Sequence, residues 1–489
     1  MRNLRAQLIS ILAGGIALFA ISLIKANEIE LPEIGDRSGA TISPEQERDI
    51  GREFMRQLHN SVTIIDDPEI ATYLQSLGYQ LVANSDNRGQ EFTFFIVQDS
   101  TINAFAAPGG YVGVHSELIK NTRTESELAA VMAHEIAHVT QHHLARAFEQ
   151  GSRLSLPMAA AIVAAILLGM GTQNPDAGFA GMMAAQAGAA QLQINFTRSN
   201  EEEADRIGMQ TLIRAGFDPF AMPAFFERLE QVSRYYGPEP PEFLSTHPVT
   251  RNRIADATGR AEALVTTPQL TARNQLQFYL MRSKLQVLTS DDKKQTVEQF
   301  SQALKTGRYL NEESARYGYA LALTRAGNQN EARQQILQLL KKDTDNLAYL
   351  LVLAQIETAA GYFETAFEIY QKTLALYPNN YTVIINYASA LLQGHQPHKA
   401  RDLLKKQAQP GRGTVRIYHL LAKAEEEMGN RAESHRWLAE YYYYIGQIGM
   451  AIKQLQLANK AVGSNFYERS KIEARLRQLQ TEATGKKNS

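Results

Sequence analysis

The sequence predicts a mainly α-helical protein: a helical domain with one small β-sheet, followed by an α-solenoid. Three observations carry this prediction. Landmarks of helix pairs recur 34 residues apart in the C-terminal half. Helical patterns beginning at Glu125 and Glu201 each gather ionisable side chains at one-turn spacing. Ahead of these helices, the runs Phe92–Val97 and Tyr111–His115 are aromatic and β-rich enough to be strands of one small sheet.

The chain begins with Arg2 and Arg5, then an almost unbroken apolar run from Leu8 to Ile24, the pattern of an export signal over residues 1–26. Ala20-Ile21-Ser22 and Ile24-Lys25-Ala26 both offer small-residue cleavage sites, and Asn27 opens a polar mature end. An uncleaved anchor competes with cleavage, because about 20 apolar residues span a bilayer. Either way the bulk of the protein is expected to be exported from the cytoplasm. With 50 basic and 51 acidic residues the net charge is −1, which gives no electrostatic reason to expect nucleic acid as a partner. The absence of cysteine excludes disulfides, thiol catalysis and a lipidated N-terminal cysteine.

Residues 43–89 read as helix, with Pro44 and Pro68 opening two runs and Leu74, Leu77 and Leu81 at helical spacing. The helical run from Glu125 to Phe148 then contains His134-Glu135-Ile136-Ala137-His138, an H-E-x-x-H. His134 and His138 lie one turn apart on one face, so two imidazoles can converge on one ion. Glu135 sits about 100° round the helix, beside the ion instead of on it. Zinc lowers the pKa of bound water from about 15.7 towards about 7, and a neighbouring carboxylate can take the proton as water attacks a peptide carbonyl. A helix with surface histidines is the bland alternative, and a third ligand decides between the two. Gln141 and Leu144 stand where a metzincin would place Gly and His, which removes that branch; His142 and His143 do not fit it either. The candidate is instead the run Glu201-Glu202-Glu203-Ala204-Asp205, which opens a second helical pattern through Ile207, Leu212 and Ile213.

Here the sequence resembles the zinc peptidases that include the CaaX-processing and heat-shock membrane proteases, which carry E-x-x-A-D on a second helix. The resemblance implies one Zn2+ per subunit held by His134, His138 and Glu201, with Glu135 as catalytic base and Asp205 orienting a ligating histidine. Asn103-Ala104-Phe105-Ala106-Ala107-Pro108-Gly109-Gly110 resembles the family's N-A-F-x-x-P-G-G turn. It implies that the strand after it, beginning Tyr111-Val112, lies beside the metal and pairs with extended substrate. Asn103, Ala104, Phe105, Gly109, Gly110, Tyr111 and Val112 are therefore the expected substrate-binding residues. His247-Pro248 with Arg253-Ile254 resembles the family's H-P-x-x-x-x-R-I tail. His247 has two open roles. It is either a donor to the oxyanion of the tetrahedral intermediate, or a fourth zinc ligand that closes the position catalysis needs.

Between the metal motifs lies an apolar stretch, 154–190, that is short for a membrane span. It reads equally as a buried hairpin, a lid over the cleft, or a contact with membrane or unfolded client. Beyond Ala261, Gly327 with Ala332 and Gly361 with Ala366 recur at the tetratricopeptide period; Ala400 keeps it, while Gly394 falls one place out of register. Tyr319, Leu353 and Tyr387 share one slot. Stacked helix pairs of this kind form a curved solenoid whose groove binds peptides or protein partners.

The expected domains are thus 1–26 signal, 27–262 zinc metallopeptidase and 263–489 tetratricopeptide repeats. The joined arrangement resembles envelope proteases of Gram-negative bacteria that enhance the assembly of outer-membrane barrels. That resemblance implies quality control of misfolded or stalled outer-membrane proteins, with the repeats docking on the barrel-assembly machinery. The alternative is a non-proteolytic chaperone or adaptor whose metal site is structural or latched.

Overall fold

The computed structural model describes residues 43–87, 89–144, 146, 198–236, 242–264, 275–408 and 415–485. The signal call at 1–26 and the apolar stretch at 154–190 lie outside the described residues. Among the described residues no helix is long and apolar enough to cross a membrane.

Ser43 opens α1 (Pro44–Ser61) through a capping box closed by Gln46, and the Asp67 carboxylate accepts two backbone N–H groups to open α2 (Pro68–Val82). Both helices carry proline in the first turn, where its missing N–H costs no hydrogen bond. Strands β1 (Thr93–Val97), β2 (Ala104–Ala107) and β3 (Tyr111–His115) form a sheet in the order β1-β3-β2, with β1 parallel and β2 antiparallel to β3.

The sheet corrects two expectations. The stretch from Asn103 to Gly110 is not all turn: Ala104–Ala107 is a strand, and the reversal is confined to Pro108–Gly110, where Gly109 and Gly110 adopt φ of 77° and 81°. Four residues reading A-F-A-A are too short and too poor in β-branched side chains to announce a strand. In addition β3, expected to pair with extended substrate, is central and already paired on both sides, so among the described residues the edges of the sheet are β1 and β2.

After the short α3 (Ser116–Asn121), Thr124 Oγ1 accepts from the Glu127 N–H at 3.2 Å and opens α4 (Glu125–Thr140). All but one of the residues of α4 are buried, as expected of a helix packed on every side. The helix ends at Thr140, short of Phe148, because His142 adopts φ of 51°, a left-handed conformation that interrupts helical hydrogen bonding. Helix α5 (Arg198–Arg214) packs along α4, and Gly208 permits the approach: a Cβ there would lie 3.1 Å from the His134 N and Cα. Helices α6 (Ala221–Tyr236), α7 (Glu242–Thr246) and α8 (Arg251–Leu264) complete this part.

The remaining helices pair in sequence: α9 (Leu276–Leu288) with α10 (Lys293–Thr306), α11 (Glu312–Ala326) with α12 (Gln329–Leu340), and α13 (Leu347–Ala359) with α14 (Phe363–Leu376). Then come α15 (Tyr381–Gln393) with α16 (Pro397–Lys405), α17 (Val415–Glu427) with α18 (Arg431–Tyr444), and α19 (Ile448–Ala461) with α20 (Phe466–Gly485). The turn within a pair uses a left-handed residue at Gly327, Gly361, His395 and Gly429, with φ of 89°, 80°, 56° and 79°. These four positions are 34 apart, which explains why Gly394 falls out of register: His395 holds the left-handed position.

The repeats fold back onto the first part of the chain. One hydrophobic core runs from Ile70, Leu74 and Leu128 through Phe225 to Phe278, Tyr317 and Ile356. Around the start of α2, buried Lys284 of α9 pairs with Glu69 and, at 3.0 Å, with Asp67. Arg416 reaches Asp66 Oδ2 at 3.1 Å, and Thr382 Oγ1 donates to Pro68 O at 3.3 Å. Removing one partner of a buried ion pair leaves an uncompensated charge. Lys284→Met should therefore destabilise the protein by about 3–5 kcal/mol in urea unfolding.

Candidate metal centre

Three chain segments converge at one buried point. Helix α4 brings His134 and His138 to one face, α5 brings Glu201 from its first turn, and the loop after α7 brings His247. That loop is fixed on both sides. Phe243 N–H donates to Ile102 O at 3.1 Å, His247 N–H donates to Phe243 O at 2.7 Å, and Arg253 Nη1 donates to Pro248 O at 2.9 Å.

One ligand atom from each of His134, His138, Glu201 and His247 lies within 4.8 Å of the others. His134 Nε2 is 3.0 Å from His138 Nε2, 3.4 Å from His247 Nδ1 and 3.5 Å from Glu201 Oε2. Glu201 Oε1 is 3.4 Å from His138 Nε2 and 3.0 Å from His247 Nδ1. Donors about 2.05 Å from a tetrahedral centre stand about 3.3 Å apart, so this spacing fits a zinc-sized ion. The chemistry of the donor set, three imidazoles and a carboxylate, fits it as well.

Electrostatics favour a cation at the centre. Burial opposes charging His134, but the carboxylates of Asp205, 3.0 Å away, and Glu201, 3.5 Å away, outweigh it and lift its pKa to about 10. Burial would raise Glu201, yet the surrounding imidazoles, His247 foremost, hold it well below the usual carboxylate range. Burial, opposed in part by Glu201, holds His138 well below the ordinary imidazole value.

Glu135 stands beside the donors. It is 1% exposed, accepts a hydrogen bond from the Ala106 backbone, and its Oε1 is buried without a hydrogen-bond partner among the described residues. His247 Nε2 lies 3.6 Å from that oxygen. Burial pushes the Glu135 pKa up, against the nearby His247 and His134. Asp205 lies 3.0 Å from His134 Nδ1, on the side of the ring away from the other donors.

The seven residues expected to bind substrate occupy β2, the turn and β3. Asn103, Ala104, Phe105, Gly110 and Val112 are buried; Gly109 and Tyr111 are partly exposed. Phe105 packs against Phe54 and His115 at ring distances of 6.1 and 6.0 Å, so its side chain belongs to the core. His115 N–H donates to Asn103 O at 2.9 Å, and the alternation of an antiparallel pair then turns the backbone groups of Ala104 and Ala106 away from β3.

Sequence reasoning gave no role to three residues that build this site. Arg253, quoted only as part of a tail motif, bonds both oxygens of Asp205 at 2.7 and 2.8 Å and Glu201 Oε2 at 2.9 Å. Charge complementarity to the acidic run was the signal available for it. His143 and Glu203 lie behind His138, and no periodicity marks His143, because the left-handed turn at His142 is what brings it there.

Residues 68–261 match the model of peptidase family M48, and residues 357–424 match a tetratricopeptide repeat model. The chain is 34% identical to the beta-barrel assembly-enhancing protease of Escherichia coli K12 over 479 residues, covering 98% of this chain and 97% of that one. It is 37% identical to the protein of the same name from Yersinia pestis over 457 residues, covering 94% and 93%. A mitochondrial metalloendopeptidase OMA1 from Arabidopsis thaliana is 28% identical over 205 residues, covering 41% of this chain and 39% of that one.

Proposed function

The chain belongs to the family of beta-barrel assembly-enhancing proteases and is a metalloendopeptidase, and from that premise we propose how its residues divide the work. The metal is zinc, held by His134, His138 and Glu201, with His247 as a displaceable fourth ligand. The observation that carries this reading is four buried donor atoms within 4.8 Å of one another, next to a buried carboxylate oxygen with no hydrogen-bond partner among the described residues.

Zinc, when bound, supplies a Lewis acid that polarises the scissile carbonyl and acidifies water. Glu135 takes the proton from the attacking water and passes it to the leaving amine; its raised pKa suits a group that must both accept and release a proton. Asp205 holds His134 with Nδ1 protonated and Nε2 facing the donors, and Arg253 keeps Asp205 ionised. The outward carbonyls of Ala104 and Ala106 pair with extended substrate along β2, next to Glu135. Of the two roles open to His247, its position supports the latch: Nδ1 sits among the donors, where it would close the position that catalysis needs once an ion is held there.

The peptidase part spans 27–262 and the repeats 263–489, after an export signal at 1–26. The substrates are misfolded or stalled outer-membrane proteins in the periplasm, and the repeats dock on the barrel-assembly machinery. The likeness to beta-barrel assembly-enhancing proteases and the tetratricopeptide match support this assignment. The adaptor reading keeps one observation in its favour, since four protein donors are also the pattern of a closed structural site. Hydrolysis of casein by the purified chain tests the proposal. Activity should vanish with a chelator and return on adding zinc; activity indifferent to chelation would contradict it.

A further inference from the structure

His143 has no part in the chemistry above, yet it is fully buried against the donor cluster. We propose that His143 and Glu203 form a positioning relay that fixes the tautomer and orientation of His138. The inference rests on the reading of His138 as a metal ligand and deepens it.

His138 aims Nε2 at the other donors, 3.0 Å from His134 Nε2 and 3.4 Å from Glu201 Oε1. A neutral imidazole that ligates through Nε2 must carry its proton on Nδ1. The atom facing that proton is His143 Nδ1, at 2.9 Å. Two ring nitrogens at this distance share one proton, so His143 Nδ1 is the acceptor and the proton of His143 sits on Nε2. That N–H points at Glu203 Oε2, 3.0 Å away, and Arg146 Nη2 holds the same oxygen at 3.0 Å. Each link therefore has one donor and one acceptor, and the direction of the whole chain is set by the nitrogen that His138 gives to the ion.

Local structure makes this contact available. His142 N–H donates to Val139 O at 3.0 Å to close the last turn, and the left-handed backbone at His142 then swings His143 back over His138. Arg146 N–H donates to His142 O at 2.9 Å and holds the new direction. His134 receives such support directly from Asp205, one turn beyond Glu201; His138 receives it through His143 from Glu203, two residues beyond Glu201. The acidic run at the start of α5 thus supplies one ligand and the supports of both histidines.

The test measures zinc affinity of the full chain by competition with a chromophoric chelator. His143→Phe, which keeps a ring but accepts no hydrogen bond, should weaken zinc binding about 10–100-fold. Glu203→Leu should do the same, and Glu203→Gln, which keeps an acceptor oxygen, should restore most of the affinity. Nitrogen-15 NMR of the zinc-loaded parent gives a readout that needs no variant: His143 should carry its proton on Nε2. A folded His143→Phe chain binding zinc as tightly as the parent, or a proton on His143 Nδ1, would overturn the relay and leave the ligand set standing. A parent chain that binds no zinc would overturn both.

Discussion

Glu135→Gln should lower hydrolysis of an unfolded protein by about 10²–10⁴-fold, the range lost with a general base, while zinc content stays at the parent level. The two effects separate because Glu135 is not among the converging donors; its free oxygen is 3.6 Å from His247 Nε2, and it is held by the Ala106 backbone. Glutamine can still accept from Ala106, so the helix and β2 keep their relation, but it cannot receive a proton from water. Hydrolysis and metal content measured on the same preparation check this. A variant that keeps both would show that another group is the base. Envelope defects that are unchanged by Glu135→Gln would favour the adaptor reading instead.

His247→Ala should raise hydrolysis roughly tenfold, which corresponds to a shift of about 1.4 kcal/mol between closed and open sites. His247 Nδ1 lies 3.0 Å from Glu201 Oε1 and 3.4 Å from His134 Nε2, where it would close the fourth position around a bound ion, and its removal leaves His134, His138 and Glu201 in place. It also removes the ring 4.9 Å from Phe243, so the loop after α7 loses part of its anchorage. Initial rates on casein at equal zinc occupancy decide the role. A fall in rate would identify His247 as a donor to the oxyanion and reject the latch.

The readable parts of this chain were those where function or repetition imposes a local period. One-turn spacing put His134 with His138 and Glu201 with Asp205, and the 34-residue interval reappears as left-handed turns at Gly327, Gly361, His395 and Gly429. What was hidden depends on contacts distant in sequence or on a single unusual backbone angle. Strand β2 exists because β3 pairs with it, its own A-F-A-A sequence being too short to signal it. The end of α4 at Thr140 follows from φ at His142, a residue that favours no such turn strongly enough to be read in advance. Lys284 looks like one more surface lysine in a helical repeat, yet it is buried against Asp67 and Glu69, 217 and 215 positions earlier. Nor did the repeat pattern indicate that the start of α2 would occupy one side of the array.

The metal content of the purified full-length chain, measured by plasma mass spectrometry without added metal, addresses the ligand set directly. The four buried donors predict one zinc per chain, falling to near zero in Glu201→Ala. A folded parent chain without zinc, or a Glu201→Ala variant that retains it, would contradict the account.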